Sequence, residues 1–251
     1  MCGAIYNIND HPGLPGLLSE LGYSREEIER ITGTLVDARL ELRPTDPVLS
    51  LIPTKSGAKV MAATWWLKLD QATLQPDTRW ATFNCQSRRI LNSKLHSIPP
   101  RSYRSVVFAR GFFEWQPVYS GGRYFSSLSD EEQQRPPRPI SKQRYLIHNS
   151  GDIMLLAAMC KHWLDAQGQP VVSTGIITLP PHPDFQDIHH KSFPLILTKD
   201  ELSRWLDPAI PSDGYRELFN TIGYRQTLEA VAVSDNNFAP VGESLLLNAA
   251  G

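Results

Sequence analysis

The sequence has little cysteine, no long apolar segment and almost no net charge. Its three cysteines, Cys2, Cys85 and Cys160, lack the spacing of a disulfide framework or a zinc site. We therefore expect a reducing compartment, no metal and no cofactor. No apolar run approaches the length of a membrane span, and residues 1–30 lack the basic-then-apolar layout of a signal peptide. These absences predict a cytoplasmic protein without membrane contact, and we expect a monomer.

The charge balance limits how a polyanion could bind. The 25 basic and 26 acidic residues leave a net charge of −1, so any nucleic-acid site must be a local patch. Hydrophobic residues make up 41% of the chain and charged residues 20%, which is typical of globular proteins. The length of 251 residues is sufficient for one large domain with a sizeable core.

Short apolar runs separated by turns dominate the pattern. They predict strands over residues 4–8, 48–52, 59–66, 104–115, 145–147, 154–159, 175–178 and 228–233. A helix start with capping-box order lies at Ser24, and a short helix is predicted to start over Thr198-Lys199-Asp200-Glu201. We predict a single α+β domain over residues 2–240, with mainly antiparallel strands in a barrel-like core and flanking helices. Residues 119–143 are predicted to be an exposed polar insertion, and residues 241–251 a tail.

The first three residues, Met1-Cys2-Gly3, carry distinctive chemistry. If Met1 is removed, Cys2 has a free α-amine and a thiol on adjacent carbons. Both groups are partly nucleophilic near neutral pH, because their ordinary pKa values are about 8 and 8.5. Such a 1,2-aminothiol attacks an aldehyde through the amine, and the thiol then closes a thiazolidine ring. The alternative is an ordinary frayed terminus with no function.

Glu114 is an unusual charged residue, because it lies between Phe113 and Trp115 on a predicted apolar strand. Burial there would raise the pKa of its carboxyl and make it a proton donor near neutral pH. A strand-edge glutamate that points to solvent is an equally good interpretation of this window alone.

Two tryptophans, Trp65 and Trp66, end a predicted strand and would point to opposite faces. One ring is expected in the core. The other is either a stacking platform for a base or part of a second buried face, and burial is favoured at roughly two to one. As a DNA-binding hypothesis we include both, with Arg88 and Arg89 from the polar cluster that follows Asn84.

The motifs together resemble the SRAP domain, the SOS-response-associated peptidase family that shields abasic sites in single-stranded DNA. The resemblance covers most of the chain. It rests on an ordered set of short motifs: Met1-Cys2-Gly3, Pro44-Thr45, Asn84, Gly111-Phe112-Phe113-Glu114-Trp115, the run from His190 to Leu197, and Trp205.

The resemblance implies a partner, single-stranded DNA with abasic sites, and a covalent mechanism. Cys2 would form a thiazolidine cross-link with the sugar aldehyde, and peptidase and lyase activities would accompany it. Glu114 would be the general acid/base, His190 would transfer a proton to or from the sugar oxygen, and Asn84 would position the amine or the sugar. His189 competes with His190 for this role; counting back from Pro194 favours His190.

Three departures from the family pattern concern DNA binding. Ala4, Gln86 and Ser192 stand where the resemblance implies arginines. Arg88 and Arg89 would compensate from new positions. Two further hypotheses stay open: a peptidase or aldehyde-reactive protein with weakened DNA binding, and a catalytically idle interaction module.

Overall fold

The computed structural model describes residues 3–34, 39–90, 104–210, 212–219 and 224–249. Cys2 therefore lies outside the described residues. The elements, in chain order, are β1 (Ile5–Tyr6), α1 (Leu14–Glu20), α2 (Arg25–Gly33), β2 (Glu41–Leu42), β3 (Pro47–Thr54), β4 (Gly57–Thr64), β5 (Asn84–Gln86), α3 (Ser87–Ile90), β6 (Arg104–Ala109), β7 (Gly111–Val118), α4 (Asp130–Gln134), β8 (Ser141–His148), β9 (Met154–Leu164), β10 (Pro170–Leu179), β11 (Phe193–Pro194), β12 (Ile196–Leu197), α5 (Lys199–Leu206), β13 (Leu228–Val233) and β14 (Pro240–Leu247).

Five strands close a barrel, in the order β10-β4-β3-β6-β9 and back to β10. All its neighbours are antiparallel except β10 and β4, and β5 adds a second parallel pairing to β10. A second sheet of six strands, β14-β13-β8-β7-β1-β2, is antiparallel throughout. The predicted α+β domain with a barrel core is confirmed.

Strand β7 belongs to the second sheet and has both faces covered. Phe112 packs against Phe185 and Phe193, with ring centroids 6.2 and 5.6 Å away, in the core between this sheet and the barrel. Phe113 lies on the opposite face, in a cluster with Ala4 and the β13 residue Val233. Because both faces are buried, apolar residues occur on both faces of the strand and do not alternate with exposed polar ones.

The start of the chain pairs with β7. Ile5 lies opposite Phe112, and the Phe113 amide donates to the Ala4 carbonyl at 2.9 Å. On the other side of β7, a Cβ at Gly111 would lie 2.4 Å from the Ile147 carbonyl oxygen, so the close approach of β8 there requires glycine. The segment that follows Cys2 is thereby fixed antiparallel to the strand that carries Glu114.

Both predicted helix starts are confirmed by their caps. Ser24 accepts from the Glu27 amide and Thr198 from the Glu201 amide, and each glutamate side chain accepts from the cap amide in return. Within the described ranges, no helix has the length and apolar character needed to cross a membrane.

Two boundaries differ from the sequence predictions. Residues 240–247 form β14 and pair with β13, so the tail predicted over 241–251 is a strand over 241–247. The insertion occupies residues 119–140, between the end of β7 and the start of β8. It is polar but not fully exposed, since Tyr119, Phe125 and Leu128 form a small buried cluster of their own.

Candidate active site

Glu114 lies in the middle of β7, opposite Tyr145 of β8. Strand alternation points its side chain to the same face as Phe112, toward the core between this sheet and the barrel. Only 2% of the residue is exposed. Burial raises the pKa of its carboxyl to about 8, because the low-polarity surroundings disfavour the charged form. The inward-facing interpretation of Glu114 therefore holds over the solvent-facing one.

His189 contacts Glu114 directly, with Nδ1 3.0 Å from the carboxyl Oε2. Its backbone amide donates to the Phe185 carbonyl at 2.8 Å, so a short turn after β10 places it. Burial strongly lowers the pKa of the imidazole. Burial disfavours the charged form of both groups, which favours a hydrogen bond between a carboxylic acid and a neutral imidazole over an ion pair.

His190 lies beside this pair but faces another neighbour. Its ring stacks on Phe125 of the insertion, with centroids 4.2 Å apart and planes 2° from parallel. Its Nδ1 is buried and finds no hydrogen-bond partner among the described residues. Burial lowers the pKa of this imidazole, and the nearby Lys191 lowers it further. The geometry thus favours His189 as the group that exchanges a proton with Glu114.

Asn84 is buried on β5, where it pairs with Ile176 of β10. The close packing there depends on Gly175, because a Cβ at that residue would lie 2.7 Å from the Thr82 carbonyl and 3.0 Å from Cys85 Sγ. The role of Asn84 in positioning an amine or a sugar stays a prediction.

Arg88 and Arg89 are both exposed on α3, directly after β5. Arg88 Nε donates to Gln86 Oε1 at 3.3 Å. This contact holds the Arg88 guanidinium beside position 86, one of the three positions where an arginine was expected. The arrangement is consistent with compensation by Arg88 at that position.

Trp65 and Trp66 do not form a stacking platform in this structure. They follow β4, and only 0% and 8% of their surfaces are exposed. Each indole N–H donates to a backbone carbonyl, of Phe83 and Asp77 respectively. The DNA-binding prediction for these two residues is corrected for this reason: both indoles belong to the core, and Trp80, which is 52% exposed, is the accessible indole of the same segment.

Two of the departures from the family pattern are buried. Ala4 is 0% exposed and Ser192 is 5% exposed. Neither position presents a charge to solvent, and the neighbours of Ala4 are Phe113 and Val233. An arginine at position 4 would have to displace this apolar cluster.

Sequence reasoning missed the contact of Phe125 with His190 and the backbone conformation of Thr45. Phe125 lies in the polar insertion, where the paired aromatics Tyr124-Phe125 were the available signal. Thr45 has a φ of 87°, a strained backbone conformation for a β-branched residue. Its amide donates to the Trp65 carbonyl at 3.1 Å, so the residue is held in place. No cluster of three or more His, Cys, Asp or Glu side chains suited to a metal ion occurs in the described part of the chain.

The structure thus combines a closed five-stranded barrel with a buried carboxyl–imidazole pair, whose glutamate lies on the strand that pairs with β1. This chain belongs to the SRAP family. The family model described as SOS response associated peptidase (SRAP) matches residues 1–238. The resemblance inferred from the motifs is thereby confirmed.

Two named proteins are similar in sequence to this chain. The chain is 25% identical over 201 residues to the abasic site processing protein HMCES of Mus musculus, covering 76% of this chain and 52% of that protein. It is 22% identical to the abasic site processing protein YoqW of Bacillus subtilis, covering 80% and 81%. The chain therefore spans about half the length of the mouse relative.

Solved structures share the fold. A protein from Bacteroides thetaiotaomicron aligns with a TM-score of 0.68 and 17% identity, covering 94% of this chain and 93% of that one. A protein from Bordetella bronchiseptica aligns with a TM-score of 0.61 and 14% identity, covering 93% and 100%. At these identities the likeness concerns the fold alone.

Proposed function

We propose that this protein processes abasic sites in single-stranded DNA by a covalent cross-link through Cys2. The observation that carries the proposal is the buried contact between His189 and Glu114. Glu114 lies on the strand that also pairs with the amino-terminal segment. Membership of the SRAP family and the names of the relatives support the substrate class.

The proposed reaction uses the two nucleophiles of Cys2 in turn. Removal of Met1 frees the α-amine, which adds to the sugar aldehyde to give a carbinolamine. Loss of one water yields an imine, and the thiol sulfur then adds to the imine carbon to close the thiazolidine. The thiol proton ends on the former imine nitrogen, so the net reaction releases one water and needs no redox partner.

Glu114 serves this sequence as a proton donor and acceptor. Because its carboxyl has a raised pKa, it holds a proton near neutral pH and can protonate the carbinolamine oxygen as water leaves. Neutral His189, hydrogen-bonded to that carboxyl, can accept or return a proton. The same imine would permit strand cleavage by β-elimination, which is the proposed lyase activity, and Cys2 would assist removal of a preceding residue as a peptidase.

The two other cysteines do not compete as nucleophiles. Cys85 and Cys160 are both 0% exposed, and burial raises the pKa of each thiol to about 12. At neutral pH both remain protonated and inaccessible.

The test is incubation with single-stranded DNA that contains one abasic site, followed by a denaturing gel. We expect an adduct with wild type, Cys85→Ala and Cys160→Ala, and no stable adduct with Cys2→Ala. Cys2→Ser keeps the amine but not the sulfur, so its imine should appear only after borohydride reduction. DNA with a tetrahydrofuran site, which lacks the aldehyde, is the matched substrate control. An adduct that survives Cys2→Ala refutes the proposal.

A second candidate function is reaction with a peptide or small aldehyde, with weak DNA binding. The buried, uncharged positions Ala4 and Ser192 favour it, because they remove charge from the expected groove. A free small aldehyde that reacts as fast as the abasic strand at equal concentration would select this function over the first.

A further inference from the structure

The polar insertion, residues 119–140, has a framework of its own. Arg123 and Glu132 form a two-pronged ion pair at 2.9 and 3.0 Å. Ser129 caps α4 with the same Glu132 in a capping box. Together with the small apolar cluster around Phe125, these contacts hold the insertion in one arrangement on the surface.

One short turn of this insertion, Phe125–Ser127, contacts the histidine segment at two points. The Ser126 amide and hydroxyl donate to the two carboxylate oxygens of Asp187, at 2.6 and 2.8 Å. The Phe125 ring stacks on His190 at 4.2 Å, in nearly parallel planes. These contacts join residues that are 61 and 65 positions apart in the chain.

The two contacts bracket His189. Asp187 lies two residues before it and His190 directly after it, so both flanks of His189 are held from the same side. The stack also orients the His190 ring, whose buried Nδ1 has no hydrogen-bond partner in the described ranges. A ring held by stacking keeps its plane without a polar contact at that nitrogen.

We propose that the turn Phe125–Ser127 is a positioning element that holds His189 against Glu114 and fixes the ring plane of His190. Phe125 and Ser126 act through Asp187 and His190, the residues that they contact. The effect on catalysis rests on the proposed function, whereas the effect on the histidines does not.

A positioning role and ordinary packing predict different effects for substitutions of Phe125. If the turn only fills space, Phe125→Leu is an adequate substitute, because leucine keeps most of the apolar volume. If the flat ring is required, only Phe125→Tyr or another ring restores function. Ser126→Ala removes the hydroxyl contact to Asp187 at an exposed residue, so it tests the second contact without disturbing the core.

The first measurement does not depend on DNA. Nitrogen NMR of histidine-labelled protein reports the tautomer of His189 and its hydrogen bond to Glu114. We expect one tautomer in wild type and Phe125→Tyr, and a mixture with a weakened hydrogen-bonded proton signal in the double variant Phe125→Leu/Ser126→Ala. Ile140→Ala, at a 66% exposed residue of the same insertion, should match wild type.

The second measurement is the single-turnover rate of adduct formation on the abasic strand. We expect the double variant to be slower by about 10- to 100-fold, since small displacements of a catalytic group cost factors of this size. Phe125→Tyr should lie within about 2-fold of wild type by the same reasoning. A wild-type tautomer in the double variant, or a Phe125→Tyr protein as perturbed as the double variant, overturns the inference. If wild type forms no adduct, the proposed function fails and the NMR result alone decides the positioning role.

Discussion

Two buried ionisable side chains lie on neighbouring strands of the same sheet and have opposite electrostatic surroundings. Arg144 of β8 is 5% exposed, forms an ion pair with Glu41, and has its guanidinium over Phe113 at 4.0 Å and Phe238 at 4.6 Å. Glu114 of β7 is as deeply buried, but burial lowers the pKa of its neighbour His189 and so disfavours a charged partner.

The comparison distinguishes a buried charge that is neutralised by its neighbours from a buried acid that keeps its proton. The Arg144 charge on one face of the sheet is neutralised by Glu41 and by aromatic faces, so it can stay charged in the interior. On the other face, the low-polarity surroundings raise the pKa of Glu114 and keep it protonated. A buried acid that keeps its proton near neutral pH is a feature of catalytic sites.

The largest expected effect is on Glu114. Glu114→Gln keeps the shape and the neutral state of the side chain, but it removes the exchangeable carboxyl proton. We predict that adduct formation slows by about 10²–10⁴-fold, the usual contribution of a general acid or base. The free energy of unfolding in urea at neutral pH should not fall, because glutamine lacks the ionisation that stabilises the unfolded wild-type chain. A loss of stability with an unchanged rate would show that Glu114 serves the fold and not the reaction.

The opposite result is expected for Glu41→Gln. This change leaves the Arg144 charge buried without its partner, which typically costs about 3–5 kcal/mol in the free energy of unfolding. The rate of adduct formation by the folded fraction should stay within a few-fold of wild type. Urea denaturation measures the first quantity and a single-turnover gel assay below the unfolding transition measures the second.

The histidines sharpen the comparison further. Because His189 Nδ1 contacts Glu114, we predict that His189→Ala slows adduct formation by about 10²-fold or more. His190→Ala should have a smaller effect, since this ring stacks on Phe125 and its influence on Glu114 is indirect. Rates of the two variants on the same abasic strand decide between them. A larger effect at His190 would restore the assignment made from the Pro194 spacing.

The smallest effects concern DNA affinity. Arg88→Gln and Arg89→Gln each remove one exposed charge, which should reduce the slope of log affinity against log salt by roughly 0.7 if each contacts a phosphate on a single strand. Lys55→Gln, which removes one charge from the turn between β3 and β4, is the matched charge control. Fluorescence anisotropy with undamaged single strands across a salt series provides the slopes. Equal slopes for all four proteins would place the DNA elsewhere.

Much of the fold could be predicted because its signals are local. The capping boxes at Ser24 and Thr198 depend on residues three apart, and the strand patterns around Val48 and Leu228 depend on nearest neighbours. β14 was missed because its sequence, with Pro240 and Gly242 at one end and three leucines at the other, does not alternate. Its pairing with β13 is a tertiary contact.

The candidate site could be predicted only in part. Glu114 was accessible to sequence reasoning because a charge between two aromatic residues is conspicuous. The choice between His189 and His190 was not, because adjacent residues share every local signal, and only the path of the chain after Phe185 decides which ring meets Glu114. The contact of Phe125 with His190 spans 65 residues, so no spacing rule could have found it.

The protonation state of Glu114 is the central claim, and it sets the pH dependence. Since the folded state keeps a proton that the unfolded state releases, the free energy of unfolding should fall as pH rises from the ordinary glutamate range to about 8. A rate limited by the protonated carboxyl should likewise fall as pH rises through about 8, and Glu114→Gln should remove this limb.

Isotope-edited infrared spectroscopy of glutamate-labelled protein, with Glu114→Gln as the blank, observes this proton directly. The account predicts a carboxylic acid band at neutral pH that is lost with a midpoint near 8 and is absent from the variant. A Glu114 carboxylate band at neutral pH, with a midpoint at the ordinary glutamate value of about 4.3, would contradict it.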